Sequence, residues 1–363
     1  MLRNRSVQDP GSPERSAPRD PWLLASLLLL TVLSITGQHS ATGADLGSPT
    51  GTNGLIMVDK VGGHVRFFDP ATDRELASFV PGPDVSIKPH ELAISPDHKT
   101  GYVTIYGDGV YGRNPHPGHT IAIIDLASHQ MVGSIDLSPY QAPHGIQVDA
   151  SGRLYVACDL SRKVLIVDPI KRRIMAAIDV EGTVHRIALL PGGGKLYASN
   201  KDDRLFISVV DLKTRKMVGK VPMPNGTEGI VASPDGKIVL AADLKEPYVH
   251  VISTVSNTEI DKVRVLGAEH GVYRIFYSPD GTRVLTCLST GQVNLFHAAD
   301  LHAPQQVVHS AGTAVMGIAF SADGKTALVG NHGEGTVSRI DLGKAELIDT
   351  FPAGKGVESL AYY

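Results

Sequence analysis

Short apolar strands separated by tight turns recur along most of the chain. Six of these strands lead into a turn of the SPDG type, and they begin at His90, His144, His185, Glu228, Tyr273 and Met316. Their starts are 54, 41, 43, 45 and 43 residues apart. Each is followed by a second and a third apolar strand and by a weaker fourth. Four short strands in a repeat of this length are typical of one blade of a β-propeller.

The two ends of the repeat region complete each other. Residues 54–80 supply a second, a third and a fourth strand without a first, whereas the segment ESLAYY from Glu358 supplies a first strand alone. We therefore predict an all-β fold: a seven-bladed β-propeller with four-stranded blades, whose ring is closed by the C-terminal strand pairing with the N-terminal strands. Such closure leaves only short, protected strand edges.

The first 44 residues differ from the repeats. A polar, arginine-containing segment precedes an apolar run of 14 residues, Trp22–Ile35, and small residues follow around Ala41–Ala44. This order predicts a signal peptide over residues 1–44, a short linker over 45–52 and the propeller over 53–363. The alternative is an uncleaved anchor, although a membrane span needs about 20 apolar residues. Both interpretations predict a periplasmic or secreted protein with no membrane contact beyond this segment.

The charge balance of the chain excludes several classes of partner. The 34 lysines and arginines nearly match the 37 aspartates and glutamates and form no long runs. A nucleic-acid-binding or membrane-binding protein would show a concentrated basic surface. Two cysteines cannot supply a disulfide framework. We therefore predict a monomer that binds a small-molecule ligand or substrate, with a periplasmic protein partner as an alternative.

Three motifs carry a resemblance to a known family. The SPDG turns, the strand YVTI (Tyr102–Ile105) and the third strands of the V-x-V-I-D type resemble the YVTN-repeat β-propellers, which are similar to lactonase-type and cytochrome-d1-type propellers. The resemblance spans about residues 53–363. It implies the seven-bladed fold and, as the leading activity, hydrolysis of a lactone or related ester. Similar propellers also include redox-enzyme subunits and binding proteins.

The residue that opens each innermost strand can be compared across the blades. In blade order it is Glu358, His90, His144, His185, Glu228, Tyr273 and Met316. Because innermost strands converge on the channel, His90, His144 and His185 are predicted to face one volume at its top. Three histidines beside a carboxylate suit one divalent metal ion, with a position left open for water or substrate. The alternative is a set of turn histidines, each bonded to a backbone carbonyl.

These residues lead to a catalytic hypothesis. A metal ion held by the three histidines would polarise a carbonyl group or lower the pKa of a bound water. Glu228 or Glu358 would act as general base or fourth ligand beside His144. Side chains around the channel mouth are predicted to contact the ligand: Tyr106, Tyr111, Arg113, His116, Asp159, Lys201, Asp243, Tyr273, Arg274 and His332.

The second blade carries the only large departure from the repeat. Its extra length is the segment GDGVYGRNPHPGH at residues 107–119, between the second and third strands. Long loops inside a compact repeat are usually functional, so we predict a lid or ligand-contacting loop. Two alternatives to the hydrolase remain: a non-catalytic binding propeller, and a metal-dependent oxidoreductase or redox-pathway accessory protein.

Overall fold

The protein is a ring of seven four-stranded antiparallel sheets in a computed structural model that describes residues 54–84, 86–201 and 204–363. This confirms the predicted all-β, seven-bladed β-propeller. Within the described residues, no helix has the length and apolar character needed to cross a membrane. The predicted signal peptide at 1–44 and the linker at 45–52 lie outside the described residues.

The blades are numbered from the one in which both ends of the described chain meet, and strands are given from the channel outwards. Blades 1 to 4 contain β28 (Val357–Tyr362), β1 (Leu55–Asp59), β2 (His64–Asp69) and β3 (Arg74–Phe79); β4 (Lys88–Ile94), β5 (Thr100–Gly107), β6 (Pro117–Asp125) and β7 (Gln130–Asp136); β8 (Pro143–Val148), β9 (Leu154–Cys158), β10 (Lys163–Asp168) and β11 (Arg173–Asp179); and β12 (Val184–Leu189), β13 (Lys195–Asn200), β14 (Phe206–Asp211) and β15 (Lys216–Pro222). Blades 5 to 7 contain β16 (Thr227–Ala232), β17 (Ile238–Asp243), β18 (Tyr248–Ser253) and β19 (Thr258–Arg264); β20 (Arg274–Tyr277), β21 (Arg283–Cys287), β22 (Gln292–His297) and β23 (Gln306–His309); and β24 (Val315–Phe320), β25 (Thr326–Asn331), β26 (Thr336–Asp341) and β27 (Glu346–Pro352). The first strands of neighbouring blades contact each other and so line the channel.

The hydrophobic core lies between neighbouring blades. Ile56 and Val65 of blade 1, for example, pack with Val103 and Ala122 of blade 2, and all four are fully buried. Second and third strands are covered on both faces, whereas an outermost strand such as β19 is exposed at most positions. This difference explains why three strands of each repeat are strongly apolar and the fourth is weak.

The SPDG motif forms the turn between the first and second strands of a blade. In blade 5 the Ser233 hydroxyl donates to Asp235 Oδ1 at 2.7 Å, and the same oxygen accepts the Lys237 N–H at 3.1 Å. Gly236 supplies the left-handed backbone, with φ of 69°. The serine-to-aspartate bond recurs in blades 6 and 7. The motif is therefore a turn signal, which accounts for its recurrence.

Blade 1 closes the ring as predicted. Strand β28 pairs with β1, and the Tyr363 N–H donates to the Gly54 carbonyl at 3.1 Å. The fully buried Asp59 carboxylate accepts the N–H groups of Gly62 at 2.9 Å and of Lys355 and Gly356 at 3.0 Å. A single side chain thus fixes the connection before β28 to the turn after β1.

Candidate functional site

β-Bulges at the start of the innermost strands of blades 2 and 4 place two consecutive side chains in the charged cluster at the channel. In blade 2, Pro89 pairs with Ile105 and Leu92 pairs with Val103, so three residue positions along β4 correspond to only two along β5. The same shift occurs at the start of β8, β12, β16 and β24. A bulge redirects a side chain that would otherwise face the opposite side of the sheet. Both His90 and Glu91 therefore belong to the central cluster.

The three predicted histidines form one row. The ring centroids of His90 and His144 are 3.9 Å apart, and those of His144 and His185 are 3.8 Å apart. Each ring is tilted by 40° to 48° relative to the next. All three side chains are buried. The innermost strands of blades 2, 3 and 4 thus bring the three imidazoles together at the channel.

Several ring nitrogens of this row have no hydrogen-bond partner among the described residues. They are Nδ1 of His90 and His144 and both nitrogens of His185, of which Nε2 lies 3.6 Å from Glu228 Oε1, beyond hydrogen-bond distance. Burial is the main cause that lowers the pKa of His90 to about 4 and of His185 to about 3, and it also holds the pKa of His144 well below its usual value. The row is therefore neutral at pH 7, and neutral imidazole is the form that binds metals.

Glu91 completes a compact set of possible metal ligands. One donor atom each from His90, Glu91 and His144 lies within 4.8 Å of the others. The three residues predicted as ligands were His90, His144 and His185, and the structure groups the first two with Glu91, while His185 stacks on the far side of His144. Buried nitrogens without partners beside a carboxylate fit a transition-metal ion.

A buried arginine lies at the centre of three carboxylates. Arg274 Nη2 lies 2.7 Å from Glu358 and 3.5 Å from Glu91, and Nη1 lies 3.5 Å from Glu228. Arg186 forms a second ion pair with Glu91, through Nη2 and through Nε at 3.2 Å. Arg274 was predicted from the sequence as a ligand contact, whereas Glu91 and Arg186 were not. The signal for both is a charged residue directly after the histidine of an otherwise apolar strand.

Two lysines lie at the edge of this charged cluster. Lys201 Nζ lies 2.7 Å from Glu228, and Lys60 Nζ lies 3.5 Å from Glu358, which His332 Nδ1 also approaches at 3.3 Å. Burial alone would raise the pKa of Glu358, but the positive charges of Lys60 and Arg274 outweigh it and lower the pKa to about 2.

The pKa of Glu228 is held well below its usual value as well, since His185, Arg274 and Lys201 outweigh the effect of burial. Glu228 and Glu358, the predicted general bases, are therefore fixed as anions by neighbouring cations. Such strongly acidic carboxyls accept protons poorly near neutral pH.

The inserted loop of blade 2 reaches across to blade 4. The Tyr111 hydroxyl donates to the Thr183 carbonyl at 2.6 Å and accepts the Lys201 N–H at 3.2 Å. Its ring meets that of His185 edge-on, with centroids 4.8 Å apart. Arg113 and His116 are exposed, and the His116 ring bonds to Asp108 within the loop. The loop therefore contributes Tyr111 to the centre, and not Arg113 or His116.

The remaining predicted contacts occupy different surroundings. Tyr106 bonds to Asp159 at 2.6 Å, and its ring lies edge-on to His90 and His144. Asp243 instead bonds within blade 5, to His250 Nε2 at 3.1 Å and to Asn225 at 3.0 Å. Tyr273 is half-buried just before β20, and its N–H bonds to the Cys287 carbonyl.

Solved structures with similar folds are distant in sequence. Hydrazine synthase of Kuenenia stuttgartiensis matches with a TM-score of 0.62 at 18% identity, over 75% of this chain and 88% of that one. The β-propeller domain of Cps50 (Swd1) from Myceliophteria thermophila matches with a TM-score of 0.61 at 15% identity, over 75% and 89%. No protein-family model and no curated protein matches the chain. These similarities support the seven-bladed fold, and membership of the YVTN-repeat family stays a prediction.

Proposed function

We propose that the protein is an exported, metal-dependent enzyme that acts on a small polar molecule at the top of the channel, with hydrolysis of a lactone or related ester as its reaction. The observation that carries the proposal is the buried group His90, Glu91 and His144, in which neutral imidazoles with unpartnered nitrogens face a carboxylate. A structural role alone would leave these nitrogens desolvated without compensation, which is costly.

The residues around the proposed ion have separate roles. A divalent ion at this place would supply Lewis acidity toward a carbonyl oxygen or acidify a bound water. In His185, next in the row, Nδ1 is a further nitrogen without a hydrogen-bond partner, while Nε2 lies 3.6 Å from Glu228 Oε1. Arg274 and Lys201 fix the position of Glu228, and Tyr111 covers the row from the blade 4 side. Water access is thereby restricted, which strengthens every electrostatic interaction in the site.

A metal analysis of the purified protein tests this proposal. We expect one ion per chain in the wild type and loss of the ion in His144→Ala. His302→Ala is the matched control, because His302 is exposed and pairs with Asp261 away from the channel. A wild-type protein that binds no divalent ion at stoichiometric level would refute the metal-dependent function. A screen of lactones with the loaded protein, and mass spectrometry of the N-terminus from the native host, test the reaction and the export.

Non-catalytic binding is the second candidate. The observation that favours it is the pairing of Glu228 and Glu358 with cations, which leaves neither as a base suited to neutral pH. If the ion is present but no lactone is turned over, the remaining candidate functions of these residues are ligand binding and metal-dependent oxidation. Reduction of redox dyes by the metal-loaded protein would distinguish oxidation from binding alone.

A further inference from the structure

The centre of the channel carries more positive than negative charge. Its cations are Lys60, Arg186, Lys201 and Arg274, and its carboxylates are Glu91, Glu228 and Glu358. The four cationic side chains therefore exceed the three carboxylates by one formal charge. The next carboxyl outward, Asp159, bonds to Tyr106, and burial raises its pKa to about 7, so it is only partly ionised at neutral pH.

Arg274 is the group with unused hydrogen-bonding capacity. Its side chain is 1% exposed, and neither Nε nor Nη1 has a hydrogen-bond partner among the described residues. Nη1 lies 3.5 Å from Glu228, which is an ion-pair separation and not a hydrogen bond. A buried guanidinium normally satisfies its donors, because each unmade bond leaves a desolvation penalty. The donors of Arg274 therefore point to an acceptor supplied from outside the chain.

We infer that the channel centre binds a small organic monocarboxylate, with the carboxylate received by Arg274 and the rim lysines Lys60 and Lys201. The inference rests on the proposed function because it assigns the ligand class of the same site. A single anionic group matches the single uncompensated charge, and charge-assisted bonds to guanidinium are the strongest available to a carboxylate. Both lysine side chains are 22% exposed, so they line the path by which a ligand arrives.

Binding of carboxylates and their neutral amides to metal-stripped protein tests this inference. Isothermal titration compares glycolate, lactate and gluconate with glycolamide, lactamide and gluconamide after treatment with a chelator. We expect the carboxylates to bind at least about tenfold more tightly than the amides. Lys60→Met and Lys201→Met should each weaken carboxylate binding at least about fivefold, since each removes one charge near the anion. Lys220→Met is the control, because Lys220 pairs with Glu181 on the exposed surface.

The results separate this inference from the metal proposal. Equal affinity for carboxylate and amide, or no binding of either, overturns the inference whatever the metal analysis shows. Carboxylate binding that appears only after metal is restored also overturns it, because the ion would then be the receptor while the proposed function stands. Inorganic phosphate that competes more strongly than any carboxylate overturns the assigned class. Binding in stripped protein that the two lysine variants weaken supports the inference even if the wild type holds no metal.

Discussion

The Tyr106 hydroxyl donates a 2.6 Å hydrogen bond to Asp159 Oδ2 across the interface between blades 2 and 3. Both side chains are fully buried, and the tyrosine ring meets the histidine row edge-on. Burial raises the pKa of Asp159 to about 7, although the bond from Tyr106 acts in the opposite direction. An ionisable carboxyl that titrates near neutral pH therefore lies one side chain away from the proposed ligand site.

The first prediction is that Asp159 makes stability fall as pH rises from about 4 to about 7. In this window the unfolded chain ionises the carboxyl while the folded chain keeps it protonated. Taken alone, ionisation of Asp159 should lower the free energy of unfolding by a few kcal/mol across this window, while the buried histidines, whose pKa values are lowered, act in the opposite direction. The difference in free energy of unfolding between wild type and Asp159→Asn should therefore fall as pH rises through the window, which urea unfolding of both proteins at several pH values measures. A wild-type profile that the substitution leaves unchanged would contradict the prediction.

The second prediction concerns Asp243, which ends β17 in blade 5 and corresponds to Asp159, the residue directly after β9 in blade 3. Burial raises its pKa, but the bond to His250 and bonds to backbone N–H groups outweigh burial and lower the pKa to about 2. Its stabilisation is therefore present above about pH 4 and lost as pH falls toward about 2. Asp243→Asn should destabilise the protein by about 1–2 kcal/mol at pH 7 and progressively less below pH 4. A pH dependence of the same sign as that of Asp159→Asn would show this assignment to be wrong.

The third prediction separates two possible ligand sets for the metal ion. If the ion is held by His90, Glu91 and His144, Glu91→Gln should lower metal affinity at least about tenfold, and His185→Asn should lower it much less. The opposite order would favour the three-histidine set predicted from the sequence. Competition with a chromophoric chelator measures both affinities, and circular dichroism checks that each variant is folded.

The fourth prediction concerns the loop that reaches from blade 2 to blade 4. Tyr111→Phe removes the two hydrogen bonds of the hydroxyl and keeps the ring beside His185, so the stability loss should be about 1 kcal/mol. Exchange of the Lys201 amide hydrogen should accelerate, because that amide loses its acceptor. Tyr111→Ala should also speed ligand dissociation. Unaltered amide exchange in both variants would mean that Tyr111 does not hold the loop in place.

The fifth prediction tests ring closure. Asp59→Ala leaves three backbone N–H groups, two of them buried, without their acceptor and should destabilise the protein by about 3–5 kcal/mol. Removal of residues 358–363 should be still more severe, since it strips most of β28 from blade 1. Thermal unfolding measures both, and Asp69→Ala, at a half-buried turn position, serves as the control. A melting temperature unaffected by the removal would refute the closure scheme.

The sequence repeat was sufficient to predict the blades, their number and their closure, because each strand buries an apolar face at a fixed position of the repeat. The same alignment predicted that His90, His144 and His185 would meet. It did not predict Glu91 and Arg186, since consecutive residues of a regular strand face opposite sides and only a bulge directs both to one side. Bulges depend on the register between strands, which one sequence does not display.

The inserted loop shows a second limit of the sequence. Its length indicated a lid, but nothing in the sequence distinguished Tyr111 from Arg113 and His116 as a ligand contact. Which of them reaches the centre depends on how β5 and β6 extend beyond the blade, through the pairing of Gly107 with Pro117 and the bridge between Val110 and Arg113. That geometry is set by tertiary packing against blade 4, not by composition.

The closure of blade 1 has a consequence for the order in which the site is assembled. Glu358 and Ser359 lie on β28, and the Ser359 hydroxyl donates to Glu91 at 2.8 Å across 268 positions of the chain. During folding, this contact forms only when the ends of the ring have met, because loop closure over so long a distance precedes any gain from the contact. An open ring with six finished blades would contain the histidine row but lack Glu358, one of the three carboxylates of the site. Competence to bind a ligand should therefore arise in a single late step, so that recovery of binding after dilution from denaturant reports directly on the docking of the last strand.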